Sequence, residues 1–135
     1  MIYSIFKSNG QILRIVQTTE IDKQLQNGEM YIEGFANDAN QYISNGIIVN
    51  IPTKPNGAAY FDYDTKQWVL NYPAQELIVK DQRDTLLYKS DWTQIPNNPL
   101  TPEVQQQWAD YRQQLRDITA QPGYPYNVIW PTQPE

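Results

Sequence analysis

Two pairs of closely spaced carboxylates are the residues of this chain best suited to catalysis. Asp62 and Asp64 flank one tyrosine, while Asp81 and Asp84 lie three positions apart, a spacing that puts both on one face of a helix. Glycosidase chemistry requires one acid whose pKa is raised by an apolar pocket. Charged and polar residues surround the second pair, and the first pair falls in a predicted turn, where aspartate commonly bonds to the backbone. We interpret both pairs as surface residues and keep a hydrolase of surface polysaccharide as one hypothesis.

Histidine and cysteine are both absent from the 135 residues. Their absence excludes thiol nucleophiles, serine–histidine pairs, and metal sites built on imidazole or thiolate. The sequence also lacks a glycine-rich phosphate loop and a calcium-binding loop. We therefore expect no catalytic residues, no cofactor and no metal, and we predict that the protein is not an enzyme.

The charge and hydropathy of the chain narrow the choice of partner. A net charge of −5 disfavours binding to a phosphate backbone. No apolar run approaches the ~20 residues of a membrane span, and the amino terminus lacks the basic and apolar regions of a secretion signal. We expect a cytoplasmic protein whose partners are neither nucleic acid nor membrane.

The positions that precede residue 74 have the pattern of a small antiparallel β domain. Asn9-Gly10 separates two strand-like runs and predicts a two-residue hairpin turn, and Asn45-Gly46 predicts a second one. A third turn is expected at or near Asp64-Thr65. The predicted strands are Ile2 to Lys7, Gln11 to Gln17, Glu29 to Gly34, Gln41 to Ile43, Ile47 to Ile51, Ala59 to Tyr63 and Gln67 to Leu70, with a short helical turn over Glu20 to Gln26.

Residues 74–135 predict a helical hairpin followed by a tail. After Pro73, Ala74 to Lys89 has good helix propensity and no glycine or proline. A loop over Ser90 to Pro99 precedes Thr101-Pro102-Glu103, which has the capping hydroxyl and first-turn proline of a helix start. The apolar residues of this second helix recur at spacings of 4, 3, 4 and 3 along one face: Val104, Trp108, Tyr111, Leu115 and Ile118. The predicted fold class is therefore α+β, with domains at 1–73 and 74–135.

Both the apolar stripe and the tail allow two interpretations. The stripe is either the core of a two-helix unit, partly covered by Leu77, Ile78, Leu86 and Leu87, or a surface for a partner or a second copy of the chain. The tail from Tyr124 to Glu135 combines prolines with large aromatics, which predicts an extended segment of polyproline character. It either anchors a partner or covers the helical pair through Val128 and Trp130.

Three strings in the last third of the chain resemble the phage tail assembly chaperone family. They are RDTLLYKSDWTQ from Arg83 to Gln94, WADYRQQLRDI from Trp108 to Ile118, and QPGYP from Gln121 to Pro125, followed by Trp130-Pro131 and Pro134. A looser resemblance to tail fibre assembly proteins rests on Tyr60-Phe61-Asp62-Tyr63 and Trp68-Val69.

The resemblance implies a phage or prophage protein that helps a tail fibre or other tail component to fold, trimerise or attach in the host cytoplasm. The alternative is a structural protein retained in the virion as an adaptor on the tail fibre or baseplate. Arg83 and Arg112 can pair with a carboxylate of this chain or of a partner. The candidate partner-binding residues are Arg83, Trp92, Trp108, Tyr111, Arg112, Leu115, Tyr124 and Trp130.

Overall fold

The computed structural model describes residues 1–135 and confirms the α+β fold class. The chain divides into two compact units, one formed by residues 1–55 and 59–69 and the other by residues 56–58 and 70–135. The inclusion of residues 56–58 in the second unit is not expected from the sequence. The strands are β1 (Ile2–Lys7), β2 (Ile12–Gln17), β3 (Glu29–Glu33), β4 (Gln41–Ser44), β5 (Ile47–Asn50), β6 (Ala59–Asp62) and β7 (Gln67–Leu70); the helices are α1 (Tyr72–Ser90) and α2 (Pro102–Asp117).

The first unit is built on a three-stranded antiparallel sheet in which β1 lies between β2 and β3. The connection of β1 to β2 is a three-residue loop, Ser8 to Gly10, because the Gly10 N–H bonds to Lys7 O and the Lys7 N–H bonds to Gln11 O. Within this loop only Gly10 has a positive φ, of 85°. The prediction of a two-residue turn at Asn9-Gly10 is therefore wrong, since a type I turn followed by a left-handed glycine satisfies the same Asn-Gly sequence.

The other two hairpins follow the predictions more closely. Asn45 and Gly46 both have positive φ, as a two-residue turn between β4 and β5 requires. Between β6 and β7, the Asp62 side chain accepts hydrogen bonds from the backbone N–H groups of Asp64 and Thr65. This confirms the interpretation of that aspartate as a turn residue.

Two small clusters of apolar side chains form the cores of this unit. Successive residues of a strand point to opposite faces, so β1 contributes Tyr3 and Ile5 to one cluster and Phe6 to the other. Ile21 belongs to the first cluster and comes from a 3₁₀ helix, Ile21–Gln24, which forms within the predicted helical turn. Ile43 of β4 packs in the second cluster. The hairpin of β4 and β5 approaches so closely that a Cβ atom on Gly10 would lie 2.0 Å from Ile43 O.

An ion pair ties β2 to β3 across the central strand. The Arg14 guanidinium donates to both carboxylate oxygens of Glu29, at 2.6 and 2.7 Å, and also to Gln24 O. The Glu29 carboxylate accepts a further bond from the Gln26 N–H, and its side chain is only 9% exposed. The hydrogen bonds from Arg14, and then the one from Gln26, lower the pKa of Glu29 to about 2.

We predict that this ion pair makes the first unit sensitive to acid. Because the pKa of Glu29 is depressed in the folded state, its stabilisation is present above about pH 4.5 and is lost as the pH falls towards 2. Urea titrations followed by NMR signals of β1 amides should show a midpoint that falls steeply over this range. Glu29→Gln should lower the midpoint at pH 7 and flatten the pH dependence.

Glu33→Gln is the matched control for this prediction, because Glu33 lies on the same strand, is exposed and makes no ion pair. It should reproduce the acid sensitivity of the wild-type chain. Equal pH profiles for the Glu29→Gln variant and the wild type would contradict the assignment.

The second unit contains both α-helices. Helix α1 starts two residues earlier than predicted, because the Asn71 side chain caps it by accepting from the Ala74 N–H and Pro73 fits within its first turn. The Thr101 hydroxyl caps α2 by accepting from the Val104 N–H, as the sequence predicts. Neither helix has the length of apolar sequence that crossing a bilayer demands.

Candidate partner-binding surface of the helical unit

The apolar stripe of α2 is the core of the helical unit. Trp108, Tyr111 and Leu115 form one buried cluster, and Trp108 is only 7% exposed. The rings of Trp108 and Tyr111 meet edge to face, with centroids 5.7 Å apart and planes at 90°. The partly buried residues that pack against the cluster are Leu86, Leu87, Leu100, Val104 and Trp130. Of the two interpretations of the stripe, the intramolecular core is the one this packing matches.

Arg112 is buried beside this cluster and holds the end of α1. Its Nη1 donates to Leu87 O at 2.6 Å and to Ser90 Oγ at 2.8 Å, and its Nη2 donates to Asp91 Oδ1 at 2.7 Å. These three acceptors lie in the last turn of α1 and the residue that follows. The predicted pairing of Arg112 with a carboxylate of its own chain is confirmed, and the guanidinium fixes the start of the loop.

We predict that Arg112→Lys destabilises the helical unit by about 2 kcal/mol, because hydrogen bonds to charged groups contribute roughly 1.5 to 3 kcal/mol and one ammonium cannot serve all three acceptors in this geometry. Urea denaturation followed by tryptophan fluorescence measures the change, since Trp92, Trp108 and Trp130 all lie in this unit. Arg116→Lys, on the exposed side of α2, is the control and should change the stability by less than about 0.5 kcal/mol. A comparable loss in both variants would show that Arg112 has no special role.

The tail folds back instead of extending throughout. Residues 121–127 form turns, supported by hydrogen bonds from Tyr124 N to Gln121 O and from Asn127 N to Gly123 O. The prediction of an extended segment is therefore wrong for Tyr124 to Asn127. The helix α2 ends at Asp117, a 3₁₀ helix follows over Ile118–Ala120, and Pro122-Gly123 then starts these turns instead of ending the helix. Trp130 then packs on the helical core, as the covering interpretation of the tail requires, whereas Val128 is not part of that cluster.

A side-chain amide fastens the tail at Ile129. Gln121 Nε2 donates to Ile129 O at 2.8 Å, and Gln121 Oε1 accepts from Ile129 N at 2.8 Å. This pair of bonds reproduces the donor and acceptor pattern of a neighbouring β-strand. It places Trp130, the next residue, against the helices.

We predict that Gln121→Ala loosens the tail without unfolding the helices. The loss of both hydrogen bonds should raise the rate of proteolytic cleavage after Tyr126, which lies between Gln121 and Ile129, by about tenfold, which corresponds to roughly 1.4 kcal/mol of docking free energy. Limited chymotrypsin digestion read by mass spectrometry measures this rate, and circular dichroism should show unchanged helix content. Gln106→Ala, at an exposed position of α2 that lines no cavity with the tail, is the control. Equal cleavage rates in the two variants would contradict the fastening role of Gln121.

A second network of polar contacts holds residues 56–58, and no pattern in the sequence predicts it. Gln75 Oε1 accepts from the Ala58 N–H at 2.8 Å, and Gln75 Nε2 donates to Pro125 O at 3.3 Å. The Tyr126 hydroxyl donates to Ala58 O at 2.6 Å. A Cβ atom on Gly57 would lie 2.9 Å from the Tyr126 ring, so the close approach requires glycine. A single glutamine in the first turn of a helix does not reveal this role.

The remaining candidate residues differ in accessibility. Arg83 is half-buried and pairs with Asp84 at 2.7 Å within the chain. Tyr124 is half-buried, and its hydroxyl is buried without a hydrogen-bond partner. Trp92 remains 45% exposed beside Trp108. The candidates Trp108, Tyr111, Arg112 and Leu115 are buried in this chain, so their role in binding a partner stays a prediction.

A row of exposed apolar residues lies instead on α1 and the loop after it. Leu77 is 69% exposed and Tyr88 is 79% exposed, and their spacing of eleven positions puts them on one face of the helix. The prediction that Leu77 and Ile78 cover the α2 stripe is wrong, whereas Leu86 and Leu87 do pack against it. We call the exposed set the α1 apolar surface; its members are Leu77, Ile78, Tyr88, Trp92 and Ile95.

Two carboxylates lie within this surface, between Leu77 and Tyr88. Asp81 and Asp84 are exposed and lie four and seven positions after Leu77, on the same face. They are solvated, as predicted. In the other unit, the N–H groups of Asp64 and then Thr65 hold the pKa of Asp62 below its usual value. A catalytic acid requires a shift in the opposite direction.

Comparison with known proteins finds one match, which lies within the helical unit. No curated protein and no solved structure matches the chain. Residues 77–135, less than half of the chain, match the family model described as phage tail assembly chaperone protein. The matched segment begins at Leu77 and includes most of α1, all of α2 and the tail. This match confirms, over residues 77–135, the resemblance to the phage tail assembly chaperone protein family.

Proposed function

We propose that this protein acts during phage assembly as a chaperone that binds a tail fibre and promotes its folding or attachment. The family supports the general role of a tail assembly chaperone and a tail protein as its partner. The tail fibre is our more specific choice, since the resemblance to tail fibre assembly proteins lies in the β6–β7 hairpin, which the family match does not cover.

The observation that carries the proposal is the α1 apolar surface within the matched segment. Tyr88 and Trp92 together expose roughly 200 to 300 Å² of side chain, given that a whole aromatic side chain buries about 150 to 250 Å². Removing this area from water contributes about 5 to 7 kcal/mol before the cost of association is subtracted. Exposed aromatic side chains of this kind often supply most of the affinity of an interface.

The charge around the surface indicates what the client presents. Asp81 has no ion-pair partner in the chain. Asp84 pairs with Arg83 but remains exposed to solvent. A client surface with apolar groups bordered by lysine or arginine would complement this arrangement. The net charge of −5 also attracts a basic client surface over longer distances.

We propose binding without catalysis. The carboxylates that would have to act in a hydrolase are either exposed, as Asp81 and Asp84 are, or bonded to turn backbone in a way that favours the charged form, as Asp62 is. These surroundings do not favour a protonated carboxyl group near neutral pH. Polysaccharide cleavage that persists in purified protein and is lost on replacement of all four aspartates would overturn this part of the proposal.

The proposal predicts that Leu77→Ser combined with Tyr88→Ser reduces the soluble yield of a co-expressed tail fibre protein at least fivefold. Neither side chain belongs to the buried cluster, so circular dichroism and thermal denaturation should match the wild type within experimental error. Ile129→Ser is the matched control, since Ile129 is 80% exposed but lies outside the α1 apolar surface. It should leave the yield unchanged.

Two results would decide against the proposal in different ways. A fibre that folds and assembles equally well without this chain would end the chaperone hypothesis. Mass spectrometry of purified particles tests the alternative of a retained adaptor, since stoichiometric copies of the chain would favour it and their absence would exclude it.

A further inference from the structure

Strand β3 presents a free edge of its sheet. The register of β1 and β3 pairs Tyr3 with Glu33, and the Gly34 N–H bonds to Ile2 O. Because backbone groups alternate in direction along an antiparallel strand, Met30 and Ile32 bond to β1, whereas Tyr31 and Glu33 direct their N–H and C=O groups outward. No backbone hydrogen bond satisfies these outward groups of Tyr31 and Glu33. Four backbone groups are therefore available to an added strand.

The space beside this edge is suited to apolar side chains. A cavity of about 650 Å³ borders the first part of β3, and the apolar residues that line it are Phe6, Leu25, Met30, Tyr31 and Ile43. Met30 and Tyr31 are both exposed. An extended segment paired with β3 would thus have its backbone bonded at the edge and apolar side chains beside this cavity.

The charges on β3 select between a second copy and a different partner. Glu29 and Glu33 lie at the two ends of the strand on the same face. Self-pairing in the fully overlapped antiparallel register, centred on Tyr31, places Glu29 opposite Glu33 at both ends, and like charges in opposed positions are destabilising. A strand with lysine or arginine opposite Glu33 has the complementary charge, whereas Glu29 already pairs with Arg14.

We propose that β3 binds an extended strand of the client tail protein, carrying a basic residue opposite Glu33 and an apolar residue beside the cavity. This inference rests on the proposed function for the existence of a client, but it uses a surface outside the family match and independent of the α1 apolar surface. The inference gives the first unit a binding role, in which β1 and β2 support the edge strand β3.

Two substitutions at one position isolate the backbone contribution. Tyr31→Pro removes an outward N–H without removing a bond to β1, and proline is tolerated at such positions of an edge strand. Tyr31→Thr also removes the ring, including its edge-to-face contact with Tyr3, but keeps the N–H. With the full chain and a purified tail fibre protein, Tyr31→Pro should weaken binding at least tenfold more than Tyr31→Thr, as biolayer interferometry would measure. NMR signals of β1 amides verify that both variants are folded.

Glu33→Lys supplies a second variant that does not depend on backbone tolerance. It should weaken binding at least fivefold at low salt, with a smaller effect at 0.5 M salt because the charge interaction is screened. A photoreactive phenylalanine analogue in place of Tyr31 should cross-link to a segment of the tail fibre protein that contains lysine or arginine among apolar residues.

The outcomes separate this inference from the proposed function. If the wild-type chain binds no tail fibre protein, both fail. If binding is lost in the Leu77→Ser and Tyr88→Ser variant but Tyr31→Pro binds as Tyr31→Thr does, only the β3 inference fails. Cross-linking from position 31 to a second copy of the chain would also overturn it, in favour of self-association through the edge.

Discussion

The helical unit depends on one constraint: two helices of modest length cannot bury the α2 stripe by themselves. Helix α1 supplies Leu86 and Leu87, and the rest of the cover comes from irregular segments, through Leu100 before α2 and Trp130 in the tail. Small units commonly face this shortage of buried area. The Arg112 hydrogen bonds and the Gln121 amide pair follow from it, because irregular segments that complete a core require polar contacts to hold their backbone in position.

Local signals in the sequence predict the regular elements well. The Asn45-Gly46 turn, the Thr101 cap and the spacing of Trp108, Tyr111 and Leu115 each have a direct local cause, and each occurs as predicted. The errors arise where two conformations satisfy the same residues. Asn9-Gly10 supports a loop of two residues or of three, and the contact of Gly10 with Ile43, which is distant in sequence, accompanies the longer loop.

The proposed binding surface is harder to predict for a physical reason. Sequence reasoning selects the most apolar stripe of a helix as the candidate interface. Such a stripe usually packs into the core of its own chain and is then not exposed to a partner. The spacing predicts Trp108 and Leu115 as interface residues, but they form the core, whereas Leu77 and Tyr88, separated by aspartates, remain at the surface. Residues of an interface that must stay soluble in the free protein are interspersed with charge, which weakens the periodic signal. Gln75 and Glu33 could not be selected at all, because their roles depend on contacts or strand positions set by the fold.

The contacts of Ala58 have a consequence for the order in which the chain can fold during synthesis. Ala58 O accepts from the Asn71 N–H and from the Tyr126 hydroxyl, and the Ala58 N–H bonds to Gln75. Domains generally fold as units while the chain emerges from the ribosome. The strands from β1 to β7 are complete before α2 has been made, yet the surroundings of Ala58 are finished only when Tyr126 arrives. A segment in the middle of the chain is thus among the last to reach its final environment. On a ribosome stalled before Tyr126 has emerged, the chain would have its strands formed, but residues 56–58 would still lack their contact with the tail.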